Sequence, residues 1–512
     1  MTAAARGLEA AALLLALLVL AIIATGGRKL AGVALTRPED VLIALVVVVA
    51  ARALLTPLRL PALAPRRVVI AGVAAYAVLM GFITVTRHRA LLTHALDFGY
   101  YVQVVWALAH GLPPRVTLPP MHAWGDHFSP VLYLLAPLGW LPEVAPLLLL
   151  AQTLILAAGG IAVYAFARRR LADDALATGF ALIYLVNPSL HGINIRDIHP
   201  QAFGIPLLIG AALALDAGRW GWCAVALALT AACREDAAIA LVGFGLWAAL
   251  ARRRWIAGGG IAVAAVALLM VDTRMLMPYF RGEPYPHLVK RYSHLGTSLG
   301  DVLVTLVARP WRWVPVLLQS GKLVYLAALL APLAFLPLLA PLALAGALPA
   351  LTVNLLTFDR VLFHHRTQYQ AFVLPFVMLA AVDGCVVLRA WLARRQRPWL
   401  STRGVLIAAF LISVALTSRT INDMMVTRWG LGPEQRAAHA LAARIPPAVP
   451  VSVNERMQPH LARRVEAYIF PAGLDRGPWV LELDGELVRR PPPPGFVVEA
   501  REGGWTLLRP AP

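Results

Sequence analysis

Residues 143–170, EVAPLLLLAQTLILAAGGIAVYAFARRR, decide the fold. From 143 to 166 the run is almost wholly apolar, and Arg168, Arg169 and Arg170 then end it. A helix crossing a bilayer needs about 20 such residues, so this is the pattern of a membrane span with a basic stop. Working outward, comparable runs lie near 8–25, 39–56, 67–86, 174–190, 200–216, 219–233, 236–251, 255–272, 318–338, 341–357, 368–388 and 404–418. Together they predict roughly thirteen spans. The two flanking Arg234 are short enough to be half-helices or tilted pieces.

Composition agrees. The 512 residues are 59% hydrophobic and only 14% charged, with a mean hydropathy of +0.70. Soluble domains run at about 45–50% apolar and about 25% charged. No compact soluble fold buries so much apolar surface, which excludes a soluble globular enzyme, a disordered chain and a coiled coil. The net charge of +19 is not the footprint of a nucleic-acid binder. Residues 421–512 carry 11 arginines against 10 acidic residues, so nearly all the excess lies in the apolar part. There it concentrates at Arg66–Arg67, Arg168–Arg170, Arg252–Arg254 and Arg394–Arg403. Threading thirteen spans with the N-terminus inside puts all four on the cytoplasmic face, as the positive-inside rule requires. Leu8–Thr25 is followed at once by further spans and is read as a retained first helix rather than a signal peptide. Cys223, Cys233 and Cys385 sit in apolar runs as packing residues.

The expected architecture is therefore mainly α, a polytopic membrane helix bundle with a small C-terminal extracytoplasmic α/β domain. Residues 1–66 supply two additional N-terminal transmembrane helices. Residues 67–420 form the main transmembrane domain, with outer loops 87–142 and 273–317, and 421–512 form the soluble domain. In that last part a helix at Pro433–Ile445 precedes a strand at Val449–Val453 and a short helix at Pro459–Arg464. Further strands are expected at Glu466–Phe470, Trp479–Asp484, Phe496–Ala500 and Trp505–Leu508, the last two joined by Gly503-Gly504.

Histidines and acids collect on the outer face, and any chemistry belongs there. Asp97, with Tyr101 and Gln103 just after it, is placed to cap a helix over Phe98–His110 that Gly111 ends. It is equally placed to serve as a general base, and the two roles are compatible. Asp126 and His127, with His122 nearby, could position substrate or hold a divalent metal ion, although the spacing matches no zinc signature. No cofactor is otherwise implied. The loop from Asn187 to Pro200 holds His191, Asp197 and His199. Arg234, Glu235 and Asp236 interrupt an apolar region, where ions persist only when paired or facing a water-filled cavity. Arg234 either pairs with Asp197 or a neighbouring acid, or binds an anionic head group. Lys290 lies in a basic aromatic loop suited to an anionic lipid surface, and His364 and His365 precede a late span. Ser298 formally fits a nucleophile-elbow pattern but lacks the strand-to-helix setting. No phosphate-binding glycine loop or dinucleotide fingerprint is present.

DFGYYVQVVWALAHG from Asp97, HFSP from His127, NPSLHGINIRDIHP from Asn187, CRED from Cys233, the histidine pair before QAFVLPFVMLAA, and VNERMQPHLARRVEAYIFP from Val453 occur in that order. Together they resemble domain-of-unknown-function family 2079, predicted multi-spanning membrane proteins of bacteria and archaea. The likeness covers residues 67–475. Members of that family often have lysine where Arg234 stands.

That family in turn is similar in layout to GT-C-type membrane glycosyltransferases, which have many spans, an acidic residue in the first large outer loop and lipid-phosphate sugar donors. Asp97 is the position matching the loop acid. The residue before it is Leu96, where that class often carries a second acid. The resemblance implies transfer of a sugar from a polyprenyl-phosphate carrier to an unidentified acceptor at the extracytoplasmic face. Asp97 would be the base, and Arg234 with His365 or Lys290 would hold the carrier phosphate. The rival readings are a lipid or solute transporter, whose polar groups would continue to the cytoplasmic side, and a non-catalytic membrane scaffold.

Overall fold

The computed structural model describes residues 3–25, 28–30, 33–35, 37–55, 63–285, 291–395, 401–421 and 431–512. Seven described helices are long and apolar enough to cross a bilayer: Ala4–Thr25, Pro65–Arg89, Val144–Leu171, Asp174–Ile195, Trp255–Arg281, Leu374–Arg395 and Thr402–Ile421. Pro310–Leu317 and Ser320–Leu333, bent by 61°, make an eighth if they are one broken span. The count of thirteen is thus not established. The runs expected at 200–216, 219–233, 236–251 and 341–357 fold as Pro200–Asp216, Trp220–Ala231, Ala237–Arg252 and Pro341–Leu355, each of 17 residues or fewer. The run expected at 39–56 folds as Pro38–Leu55, an 18-residue helix carrying Glu39, Asp40 and Arg52. Hydropathy alone does not separate a span from a short helix packed inside a bundle. Phe244 and Trp247 of Ala237–Arg252 are fully buried in protein, not lipid.

Local signals set the helix boundaries. Asp173 caps Asp174–Leu185 by accepting from the amides of Ala175 and Leu176 at 2.9 and 3.0 Å. At its end Asn187 accepts from Ser189 N at 2.9 Å and Pro188 takes the first helical position of Pro188–Ile195. This second short helix delivers the chain to the loop at 196–199. In the bundle core Phe180, Tyr184, Phe244, Trp247 and Phe376 are fully buried. A β-carbon at Gly159 would lie 2.1 Å from the Tyr184 hydroxyl, so only glycine lets those helices meet there. Outward-facing leucines such as Leu13 and Leu14, and Val78 and Ile256 on other helices, remain exposed as a lipid-facing surface.

Three of the arginine clusters gather at one end. Asp383 accepts from Arg170 and Arg252, each at 2.8 Å, and Arg252 also reaches Asp216 at 2.8 Å. Arg66 lines a groove there with Arg168 and Arg169. The tail folds at the opposite end, as a five-stranded sheet of β1 (Val451–Val453), β2 (Ala467–Ile469), β3 (Trp479–Leu483), β4 (Phe496–Glu502) and β5 (Trp505–Pro510). The order is β2-β1-β3-β5-β4; β1 runs parallel to β2 and β3, and β5 antiparallel to β3 and β4. The helix Pro433–Ala442 packs on this sheet through Ala438 and Leu441.

The tail is hydrogen-bonded to the bundle. Gln103 Nε2 donates to the carbonyls of Arg464 and Val465 at 3.1 and 2.8 Å, and Thr117 Oγ1 donates to Ala467 O at 2.6 Å. The rings of His94 and the carboxylate of Glu455 meet at 2.9 Å across the same junction.

Candidate functional site

Beyond Arg89 the chain turns through Leu91, at φ +59°, and winds Ala95–Gly99 as a wide π-turn before the helix Tyr100–Ala109. Asp97 lies inside that wide turn and makes no capping bond, contrary to the sequence expectation. His94 stands before the turn, and its carbonyl accepts from Phe98 N and Gly99 N. The helix does end at Gly111, in the left-handed region at φ +67°. The extra residue in the turn directs Asp97 into an open cavity, where its side chain is 56% exposed and stands 3.8 Å from His199 Nε2.

The cavity has a volume of about 320 Å³. Four arginines line it, Arg87, Arg196, Arg366 and Arg419, together with His94, His364, Asp97 and Asp197. Asp197 is buried, at φ +49°, and its Oδ2 accepts from His94 N at 3.1 Å. Burial raises its carboxyl to about 6, against the charges of His199 and His94. Asp97 moves the other way: the interaction with His199, aided by charge from His94 and His127, holds it below the usual carboxylate range. Asp197, from another loop, thus lines the same cavity as Asp97. Burial and the nearby guanidinium charges of Arg366 and Arg419 push His364 and His365 below the ordinary imidazole range, the latter to about 4. The cavity thus sets four guanidinium groups against the two carboxyls of Asp97 and Asp197.

His199 is oriented by its own loop. Its Nδ1 lies 2.8 Å from the Arg196 carbonyl, so Nδ1 donates and Nε2 faces Asp97. Gly192 lies against Arg366 so closely that a β-carbon would come within 2.5 Å of the Arg366 backbone.

A second cluster abuts the cavity. Arg234 is buried, donates from Nη1 to Gln201 Oε1 at 2.6 Å, and approaches Asp236 and Glu235 at 3.2 and 3.4 Å. Its acidic partners are sequence neighbours rather than Asp197. Glu235 accepts from Phe128 N at 3.1 Å and Tyr285 OH at 3.2 Å, and meets His127 Nδ1 at 3.1 Å. Burial works to raise this carboxyl, and the charges of His127 and Arg234 overcome it and hold it low. Asp126 lies 4.0 Å from the His127 ring. The buried Tyr101 presents its ring edge-on to His199, with centroids 6.3 Å apart, and so stands between the two clusters.

Other expected site residues lie elsewhere. Gln103 is buried in the tail junction and does not face the cavity. His191 is buried in the bundle, its Nε2 on the Leu185 carbonyl at 2.7 Å. His365 stacks beside His364 with ring centroids 5.2 Å apart. Lys290 falls outside the described residues. Ser298 closes a capping box with Asp301. Among the described residues no group of three His, Cys, Asp or Glu side chains is arranged to hold a metal ion. The His122 ring instead stacks on Phe280 and accepts from Trp124 N.

The residues missed in the sequence are the arginines of this cavity, Arg87, Arg196, Arg366 and Arg419, with His94. The signal was present: arginines away from the basic end run against the positive-inside pattern and therefore ask for an anionic partner.

Fold and site define a polytopic membrane protein with a polar cavity at the end of the helix bundle that carries the tail. The chain belongs to the family described as predicted membrane protein DUF2079, whose model matches residues 87–484. Among solved structures it is similar to ArnT from Cupriavidus metallidurans bound to undecaprenyl phosphate, with 14% identity over 86% of this chain and 97% of that one and a TM-score of 0.52. The apo state of the same protein matches at 13% identity and TM-score 0.51, with the same coverage. The fold is thus ArnT-like, the GT-C-like arrangement that the sequence resemblance implies. No curated protein matches the chain in sequence.

Proposed function

We propose that this protein transfers a sugar from a polyprenyl-phosphate donor to an acceptor hydroxyl, in the cavity containing Asp97 and at the extracytoplasmic face. The observation that carries the proposal is the cavity itself: an accessible carboxylate opposite four guanidinium groups. Asp97 takes the acceptor proton as the acceptor oxygen bonds to the sugar carbon. The bond between that carbon and the carrier phosphate breaks, and polyprenyl phosphate leaves with its charge held by arginine. Guanidinium suits phosphate because its fixed fork of donors matches the oxygens, and such pre-placed charge acts where charge develops. Arg196, Arg366 and Arg419 fill this role, together with His365 and Lys290 as further candidates. Arg234, engaged by Gln201, Glu235 and Asp236, orients the cluster behind them. The ArnT neighbour, bound to undecaprenyl phosphate, makes a polyprenyl carrier the first donor to test.

A transporter would need a polar route to the basic end. Between the two ends the core is filled by Phe180, Tyr184, Phe244 and Phe376, which supports a one-sided site. The test is to incubate purified protein with radiolabelled undecaprenyl-phosphate sugars and membrane extract as acceptor. Release of label from the carrier, lost in Asp97→Asn, supports the proposal. Equal turnover by Asp97→Asn overturns the base assignment, and no turnover across the panel removes the transferase reading.

A further inference from the structure

A second cavity lies at the opposite end of the bundle. Arg87, at the Asp97 cavity, and Arg66 lie on the same helix, Pro65–Arg89, 21 residues apart. At 1.5 Å per residue that is about 31 Å, so the two sites are separate. The second cavity is an open groove of about 1110 Å³. Arg66, Arg168, Arg169 and Arg219 line its polar side; Gly210, Leu213, Ala214 and Trp222 supply an apolar wall.

The positive-inside rule accounts for arginines at this end but not for the way they are left. Neighbouring Arg170 and Arg252 are neutralised by Asp383, and Arg252 also by Asp216. In the groove the one acid among the described residues, Asp174, is taken up by Arg168 at 2.5 Å and by the Tyr164 hydroxyl at 3.1 Å. Arg169 donates to the Asp216 carbonyl, a neutral partner. Arg66 and Arg219 meet no acidic partner among the described residues. The groove is thus a concavity with surplus positive charge, one apolar wall and an exposed indole, Trp222, at its rim. Trp at that position is the side chain favoured at the boundary between head groups and acyl chains. Gly210 leaves open space where a side chain would stand.

We propose that this groove binds an anionic phospholipid of the leaflet at the basic end. The head-group phosphate lies between Arg66 and Arg219, and the first acyl carbons lie on Leu213, Ala214 and Trp222. Basic pockets between helices recognise such head groups through charge and guanidinium geometry. This site is independent of any transfer at Asp97, and its test reads binding alone.

The full chain, purified in detergent, is titrated with dioleoyl phosphatidylglycerol, with dioleoyl phosphatidylcholine and with inorganic phosphate, reading bound lipid by native mass spectrometry and the thermal midpoint. Phosphatidylglycerol should be retained and raise the midpoint, while phosphatidylcholine does neither. Arg66→Ala and Arg219→Ala should each weaken retention about fivefold. Gly210→Leu, which removes no charge and fills the groove, should weaken it too; Gly260→Leu, also in open space on another helix, should not. Equal retention of the two lipids, or loss of retention in none of the groove variants, overturns the proposal. A midpoint shift by inorganic phosphate as large as that by phosphatidylglycerol overturns the lipid assignment in favour of a soluble anion.

Discussion

Gln152, in the middle of the Val144–Leu171 helix, clamps the loop of Asp197 from beneath: its Nε2 donates to Asp197 O at 2.8 Å and its Oε1 accepts from His199 N at 2.8 Å. One amide thus holds the backbone on both sides of Ile198, where Asp197 sits at positive φ. A conformation that a non-glycine residue adopts rarely persists only when its surroundings fix it. Gln152→Leu leaves two buried backbone groups unpaired, at about 1–3 kcal/mol each. The variant should lower the thermal midpoint and turnover together, whereas Gln152→Glu, which keeps the acceptor for His199 N, should retain more of both.

Asp97 makes no capping bond and its side chain is half exposed, so Asp97→Asn removes a charge without removing a structural support. General-base catalysis contributes about 10²–10⁴-fold. Sugar transfer by Asp97→Asn should therefore fall by about that factor while the thermal midpoint stays within a degree or two of the parent; a large drop in midpoint would assign Asp97 to folding instead.

Sequence made the spans at 143–166, 67–86 and 368–388 legible because each is a long apolar run closed by basic residues. The tail strands were equally plain, since Gly503-Gly504 and the alternating runs beside it leave one hairpin geometry, with a bulge between Val498 and Ala500 as the unforeseen detail. Short helices such as Trp220–Ala231 read as spans in the sequence but are shorter than a bilayer crossing needs, and an apolar face reads alike toward lipid or protein, so hydropathy does not set the count. Asp97 and Asp197 were both legible as acids in loops between apolar runs. Their sharing one cavity was not, because it depends on the π-turn at 95–99 and on the Gln152 clamp, and neither leaves a periodic trace. Gln103 was misread for the opposite reason: a polar side chain beside Asp97 looks like a ligand group, but its amide is consumed by tail carbonyls.

Asp197 should impose a pH dependence. Its folded carboxyl, raised to about 6 by burial, exceeds the unfolded value of about 3.9, so the folded state binds the extra proton between those limits. The stability it contributes is fully present below pH about 4 and is lost as pH rises through about 6, a total on the order of 3 kcal/mol. Asp197→Asn should flatten this part of the stability profile, as measured by denaturant unfolding across pH 4–7. The same ionisation adds a negative charge beside the arginines. The KM for a lipid-phosphate donor should therefore rise above pH about 6 in the parent and remain level in Asp197→Asn.

Gly99 sets how closely the tail approaches the cavity. A β-carbon there would fall 1.6 Å from Gln458 Oε1, and Gln458 is buried with its Nε2 donating to Ala467 O at 3.0 Å. The Gln458 side chain could not swing aside without giving up that bond to β2. Gly99→Ala should accordingly loosen the junction while leaving the bundle folded: hydrogen exchange should rise at 95–103 and 458–467, with the Val144–Leu171 helix unchanged. Turnover should fall as His94 and Glu455 separate. Exchange confined to wild-type levels at the junction would mean that the tail shifts to admit the methyl group, and that its contact with the π-turn does not govern the position of Asp97.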